Sequence, residues 1–200
     1  GTAVVVTAAV IILYPALTDL YSRLEQARIA EEPEVTQNSD RQTGDFDGNV
    51  PEENAEQGRP SSKAITAWGH LDIPAIGVST AVVAGTSPEM LAVAPGWYME
   101  SALPGKGNTA IAGHLNVYGS HFRRLRSLQA GDEIYLTYKG RVYCYEVENV
   151  SAIGSFESGV IEPCGYDALT LTTCIDEEKD MRTAVRARLV SAKDVENGKS

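Results

Sequence analysis

Apolar and polar residues change rhythm three times along this chain. From Ala3 to Leu17 the run AVVVTAAVIILYPAL carries no charge, and its apolar side chains occupy every face of a helix rather than one stripe. It is shorter than a membrane span and begins at Gly1 rather than Met, so residues 1–18 read as the remainder of a longer apolar anchor. The alternative is a hydrophobic helix packed on the domain. Asp19–Glu32 has helical character and stops before Pro33. Between Pro33 and about Lys63, Asn, Asp, Glu, Gln, Gly, Ser and Pro dominate, which describes a polar linker. Phe46, inside Gly44-Asp45-Phe46-Asp47-Gly48, is the one residue of this stretch able to anchor it to a pocket as a lid, but an exposed aromatic in a tether is the preferred reading. Residues 19–63 are thus a helix and linker, 64–193 a compact domain and 194–200 a tail.

After Lys63 the rhythm shortens to runs of alternating residues bounded by Gly and Pro. Strands are predicted at Ala67–Ile73, Val78–Val83, Thr109–Gly113, Glu133–Tyr138, Arg141–Ile153, Leu169–Cys174 and Thr183–Val190. Seven short strands suggest a mainly β domain, closed or nearly closed as a barrel. Helical interruptions are predicted at Ser87–Val93 and at Ser120–Leu128, where Phe122, Leu125 and Leu128 recur at helical spacing and Gly131 marks the stop. Lys139-Gly140 reads as a hairpin turn.

Charge narrows the partners. The formal net charge of -10 argues against nucleic acid or an anionic membrane surface as the main partner, and Arg123, Arg124 and Arg126 are too few to reverse it. Cysteines 144, 164 and 174 match no metal-ligand spacing, and their odd number leaves a free thiol within one chain. Cys144 shares its parity with Glu146 and Glu148, Cys164 sits in a Pro-Cys-Gly turn, and a disulfide between them is the less favoured reading. No cofactor or metal is expected.

The stretch that points to chemistry is Ala168–Arg188. Leu169 and Leu171 fall on one parity, whereas Thr170, Thr172 and Cys174 fall on the other, so Cys174 does not sit with the core-facing residues. In the next strand Met181, Val185 and Leu189 alternate with Arg182, Arg186 and Arg188, which share a solvent or cleft face. Upstream, His114 ends the run Asn108–Gly113 and shares its parity with the small Ala110 and Ala112, leaving an imidazole room to reach across a groove. His70 and His121 are read as structural. A thiol, an imidazole and a guanidinium supply what acyl transfer through a thioester needs: a nucleophile, a proton carrier for the departing amine, and a cation for the oxyanion.

These residues lie in four segments, in order, that resemble the sortase family of cysteine transpeptidases: Leu71–Ile76, Leu103-Pro104-Gly105 to Asn108–His114, Leu169–Cys174, and Arg182 at the head of the next strand. The resemblance covers roughly Trp68–Val190. It implies a closed eight-stranded β-barrel with short helices, Cys174 as nucleophile, His114 as general acid/base and Arg182 as binder of substrate and oxyanion. Thr173 is the candidate for lining the substrate pocket, although an ordinary strand threonine also accounts for it. The implied reaction is cleavage of the Thr–Gly bond of an LPXTG-like sorting signal on a surface protein. An amine then resolves the acyl-enzyme, from a wall precursor such as lipid II or from a pilin lysine. The implied location is the cell membrane, single-pass, with the catalytic domain outside.

Leu115 stands where many relatives carry Arg after the histidine, and no Asp-Pro-aromatic lid motif is present. His114–Gly119 with Phe122, and Ala94–Tyr98, are more similar to class E or class D than to pilin-polymerising class C, so wall anchoring ranks above pilus assembly. The acidic loop Ile175–Met181 suggests a preference for a basic segment after the sorting motif. Two rival readings are a papain-like hydrolase, which would start a helix at its nucleophile, and a non-catalytic barrel that binds peptide.

Overall fold

The alternating segments pair edge to edge until no edge is left. A computed structural model describes residues 14, 17–28, 65–154, 158–174 and 180–195. Eight strands among them, β1 (Ala67–Ile73), β2 (Val78–Ala84), β3 (Gly96–Trp97), β4 (Asn108–Ala112), β5 (Glu133–Tyr138), β6 (Arg141–Gly154), β7 (Ala168–Cys174) and β8 (Met181–Asp194), close a barrel in the order β1-β2-β3-β4-β7-β8-β6-β5. Strand β5 returns to β1 through His70↔Thr137, so each ladder finds a partner and no row of backbone donors stays open. Pairing is antiparallel except for β2–β3 and β4–β7. Leu71, Ile111, Leu136, Leu169, Leu171 and Val185 fill the interior without exposure, each contributing about 1.5–3 kcal/mol through burial.

All seven strands anticipated from alternation are present. The eighth, β3, has two residues and so shows no alternation to read. It is held by contact instead: a Cβ on Gly96 would lie 2.1 Å from the carbonyl oxygen of Gly85, so bare backbone is required there. Lys139 and Gly140 join β5 to β6 with φ of 47° and 69°, both positive as a type I′ turn demands. The Ser87–Val93 prediction corresponds to α2 (Pro88–Val93), with Ser87 Oγ accepting from the Met90 amide at 3.4 Å.

Ser120–Leu128 is not an α-helix. It forms turns and a 3-10 segment at Leu125–Ser127. Phe122, Leu125 and Leu128 are still core residues, at 0%, 0% and 4% exposure. Their spacing of three residues suits the three-residue turn of a 3-10 helix better than 3.6, and the chain enters the segment through left-handed backbone. Tyr118, Gly119 and Ser120 have φ of 51°, 87° and 46°.

Residues 17–28 form helix α1, which lies on the barrel by its polar side. Ser22, fully buried, donates to the Val93 carbonyl at 2.8 Å, and Thr80 donates to Gln26 Oε1 at 2.9 Å. Leu17, Leu20 and Leu24 point outward, with more than half of each exposed at 62%, 55% and 59%. Among the described residues no helix is long and apolar enough to cross a membrane. The apolar run before Tyr14, the arm holding Phe46 and the acidic residues 175–179 lie outside the described residues.

Candidate active site

Strand β7 is buried on both faces until its last residue. Leu169 and Leu171 face the barrel interior, while Thr170 and Thr172 face outward yet remain 1% and 0% exposed. Their hydroxyls are covered and paired: Thr170 donates to Asn108 Oδ1 at 2.7 Å, and Tyr98 and Thr172 share a hydrogen bond of 3.3 Å. Cys174 continues this outer face, and it alone on β7 is exposed. A one-residue slip would carry the thiol into the interior.

On one side of Cys174 stands β8. Cys174 pairs in register with Arg182, which in turn pairs with Ile153 of β6. Adjacent strands lie about 4.8 Å apart, so thiol and guanidinium grow from neighbouring positions on one face. Arg182 Nε is buried and has no hydrogen-bond partner among the described residues. A buried donor left unmade costs about 1–3 kcal/mol, which an arriving acceptor would recover.

On the other side stands β4, parallel to β7, with Ala112 opposite Thr172 and the Gly113 amide donating to the Thr172 carbonyl at 3.0 Å. His114 follows two residues past that last pair, as Cys174 does on β7. The nucleophile candidate is therefore flanked by the imidazole-bearing and guanidinium-bearing segments. His114 is half-buried, and burial lowers its pKa below the ordinary value, favouring the neutral ring. Its carbonyl accepts from the Phe122 amide at 3.2 Å, and the Tyr118 ring packs against the imidazole with centroids 5.3 Å apart. A Cβ on Gly113 would meet the Phe122 ring at 2.5 Å, so the backbone before His114 sits directly on a core aromatic.

A domain model of the sortase family matches residues 71–190. The chain belongs to the sortase family. Sortases are cysteine transpeptidases, and the match includes Cys174, His114 and Arg182. The chain is 32% identical over 127 residues to sortase A of Bacillus anthracis, covering 62% of this chain and 60% of that protein. It resembles the structure of sortase E from Streptomyces avermitilis with a TM-score of 0.60 and 34% identity, over 67% of this chain and 94% of that one. Against a Clostridium perfringens sortase D5 transpeptidase the TM-score is 0.58 and the identity 29%, over 63% of this chain and 80% of that one. The chain spans between 52% and 60% of the length of the curated relatives it matches.

The other candidates of the sortase barrel fall outside the Cys174 position. Thr173 is 1% exposed on the interior parity, opposite Thr183, with its hydroxyl unpartnered among the described residues. Arg188 is exposed, bonded to Glu148 at 2.6 Å and stacked over Tyr166 at 3.7 Å. Arg186 lines a cavity of about 190 Å³ on the same outer face as Cys174, with Ser151, Ile153, Gly159, Val160 and Thr170. His70 is bonded to Ser79 at 3.0 Å, and His121 to Gln26 at 2.9 Å. Cys144, Cys164 and Cys174 are free thiols, and among the described residues no group of three or more His, Cys, Asp or Glu is placed to hold a metal. Sequence reasoning missed Tyr98 and Tyr118, because their partners lie on other elements and no spacing rule links them.

Proposed function

We propose that the protein is a sorting-signal transpeptidase in which Cys174, His114 and Arg182 carry the reaction. The Cys174 thiolate attacks the Thr–Gly carbonyl carbon of an LPXTG-like signal, and the electron pair moves to the oxygen, where Arg182 holds the resulting oxyanion. As the C–N bond breaks, protonated His114 gives its proton to the departing amine, leaving a Cys174 thioester. An acceptor amine then attacks the thioester, His114 takes back a proton, and the new amide leaves with the thiolate restored. Burial favours the neutral form of His114, so the protonated ring that serves the departing amine is its minor form.

The observation that carries this reading is the in-register pair Cys174↔Arg182, with a buried Arg182 Nε that has no hydrogen-bond partner among the described residues. The cavity on the same face supports an extended peptide as substrate, since its lining runs along β6, β7 and β8 away from Cys174. The acceptor is an amine of a wall precursor. The outward leucine row of α1, directly after the apolar run that ends at Leu17, supports a membrane-held domain outside the cell.

The test is a mass-spectrometric assay of the full chain with a sorting-signal peptide and triglycine as acceptor. Wild type forms the Thr–triglycine product. Cys174→Ala abolishes it, and Arg182→Lys lowers kcat by about 10²–10³-fold, the usual effect of removing an oxyanion donor. Product formation by Cys174→Ala would overturn the mechanism. Thiol labelling of wild type without any peptide turnover would favour a peptide-binding barrel.

A further inference from the structure

We infer that helix α1 belongs to the catalytic apparatus, with Asp19 and Tyr118 acting as positioning residues for His114. The inference rests on His114 being the proton carrier. Its starting point is the loop after His114, where Tyr118, Gly119 and Ser120 all take left-handed backbone, at φ of 51°, 87° and 46°. Only glycine adopts that conformation freely, so two of the three residues are held there against their preference. Something must over-determine the loop.

Helix α1 does so. Asp19 Oδ1 accepts the Gly119 amide at 2.7 Å, a charge-assisted bond between residues one hundred positions apart. The Tyr21 ring meets Tyr118 edge-on, with centroids 6.5 Å apart. Tyr118 in turn packs on the His114 imidazole at 5.3 Å. The helix is itself pinned at its far end, where Gln26 Nε2 reaches both the Val93 carbonyl at 3.3 Å and His121 at 2.9 Å. A continuous chain of contacts thus runs from the barrel wall through α1 and Tyr118 to the imidazole. None of α1 lies within the residues 71–190 that the sortase domain model matches, so the contact reaches His114 from outside the matched segment.

Tyr118 covers one face of the ring and Asp19 fixes the loop that carries Tyr118. Losing the Asp19 bond frees the loop to leave the left-handed region, and the imidazole then samples orientations that miss the Cys174 position. The effect belongs in kcat, because the peptide cavity on β6, β7 and β8 is not touched.

The experiment uses the full chain and four variants: Asp19→Ala, Asp19→Asn, Tyr118→Leu and His114→Ala. Turnover of the sorting peptide is measured alongside the His114 ring resonances and their titration by NMR. Cys174 and Arg182 on the neighbouring strands, His121 and Tyr118 in the loop, and Asp19, Arg23 and Tyr21 on α1 are the titratable and charged groups of the elements around His114, so each variant is compared with wild type under one salt condition. Asp19→Ala lowers kcat by about ten-fold with KM held within about two-fold, as expected of lost orientation rather than lost binding. Asp19→Asn, which keeps the acceptor oxygen, restores it. Asp19→Ala and Tyr118→Leu both move the His114 ring resonances. Unchanged resonances and kcat in Asp19→Ala overturn the inference, as does a lower thermal midpoint without movement of His114. Full activity of His114→Ala would instead remove the reading of His114 as proton carrier, and the NMR arm still decides whether α1 positions the ring.

Discussion

A hydrogen bond fixes the chemistry of His121 before any pH is considered. Gln26 Nε2 donates to His121 Nε2, so that nitrogen must be the acceptor and the ring proton must sit on Nδ1. Burial pushes the pKa down from 6.5 to about 4, helped by Arg23 and His114 and opposed by Asp19. The unfolded chain therefore binds this proton more readily than the folded one. Stability from His121 is complete above pH 6.5 and is lost as pH falls toward about 4, by up to about 3 kcal/mol. Urea unfolding of wild type across that window should show the loss, and His121→Gln should flatten it; an equal slope in both would reject the assignment. At this scale the sequence was legible where one strand carries the information. The parity of Leu169–Cys174 alone put the thiol off the core face, and the parity of Met181–Val190 grouped the three arginines. The bond from Gln26 to His121 crosses 95 positions, and no local pattern announces it.

Between elements the decisive quantity is closeness of backbone. The two-residue β3 carries the barrel from the parallel β2 to the antiparallel β4, through Val83↔Gly96 and Trp97↔Ile111. An Ala at position 96 would drive its Cβ into the Gly85 carbonyl, a backbone atom that cannot rotate aside. Gly96→Ala is expected to cost about 2–4 kcal/mol in chemical denaturation, within the range of severe overpacking. A cost below about 0.5 kcal/mol would mean that β3 relaxes freely. Strands with five or more alternating residues were readable because period two is a side-chain property. Strand β3 and the turn at residues 121–124 were not, since one is defined by its neighbours and the other by left-handed entry at Tyr118–Ser120. The three apolar residues at three-residue intervals announced burial correctly and helix type wrongly.

For the molecule as a whole, closure makes the core common property. Leu171 lies wholly inside and its strand touches both β4 and β8, so Leu171→Ala should cost about 2–5 kcal/mol and lower the melting point of the entire barrel in one transition. Arg188→Ala, in register with β7's first residue but exposed, should cost about 1 kcal/mol or less despite its short bond to Glu148. Calorimetry separates the two, and equal losses would contradict the burial argument. The barrel was foreseeable from seven alternating runs and four motif segments, whereas the docking of α1 was not, because its contacts use polar residues that a sequence places in solvent. The long strands also give the molecule two ends. Arg182 and Ile153 pair at one, Asp194 and Arg141 at the other, and the Val195 amide is tied to the Gly140 carbonyl at 2.8 Å. The twelve residue-to-residue steps from Arg182 to Asp194 amount to about 40 Å of path. Lys139 in the hairpin and the exposed Lys193 lie at that second end, so coupling to a resin through these amines would leave the thiol free to work from an immobilised support.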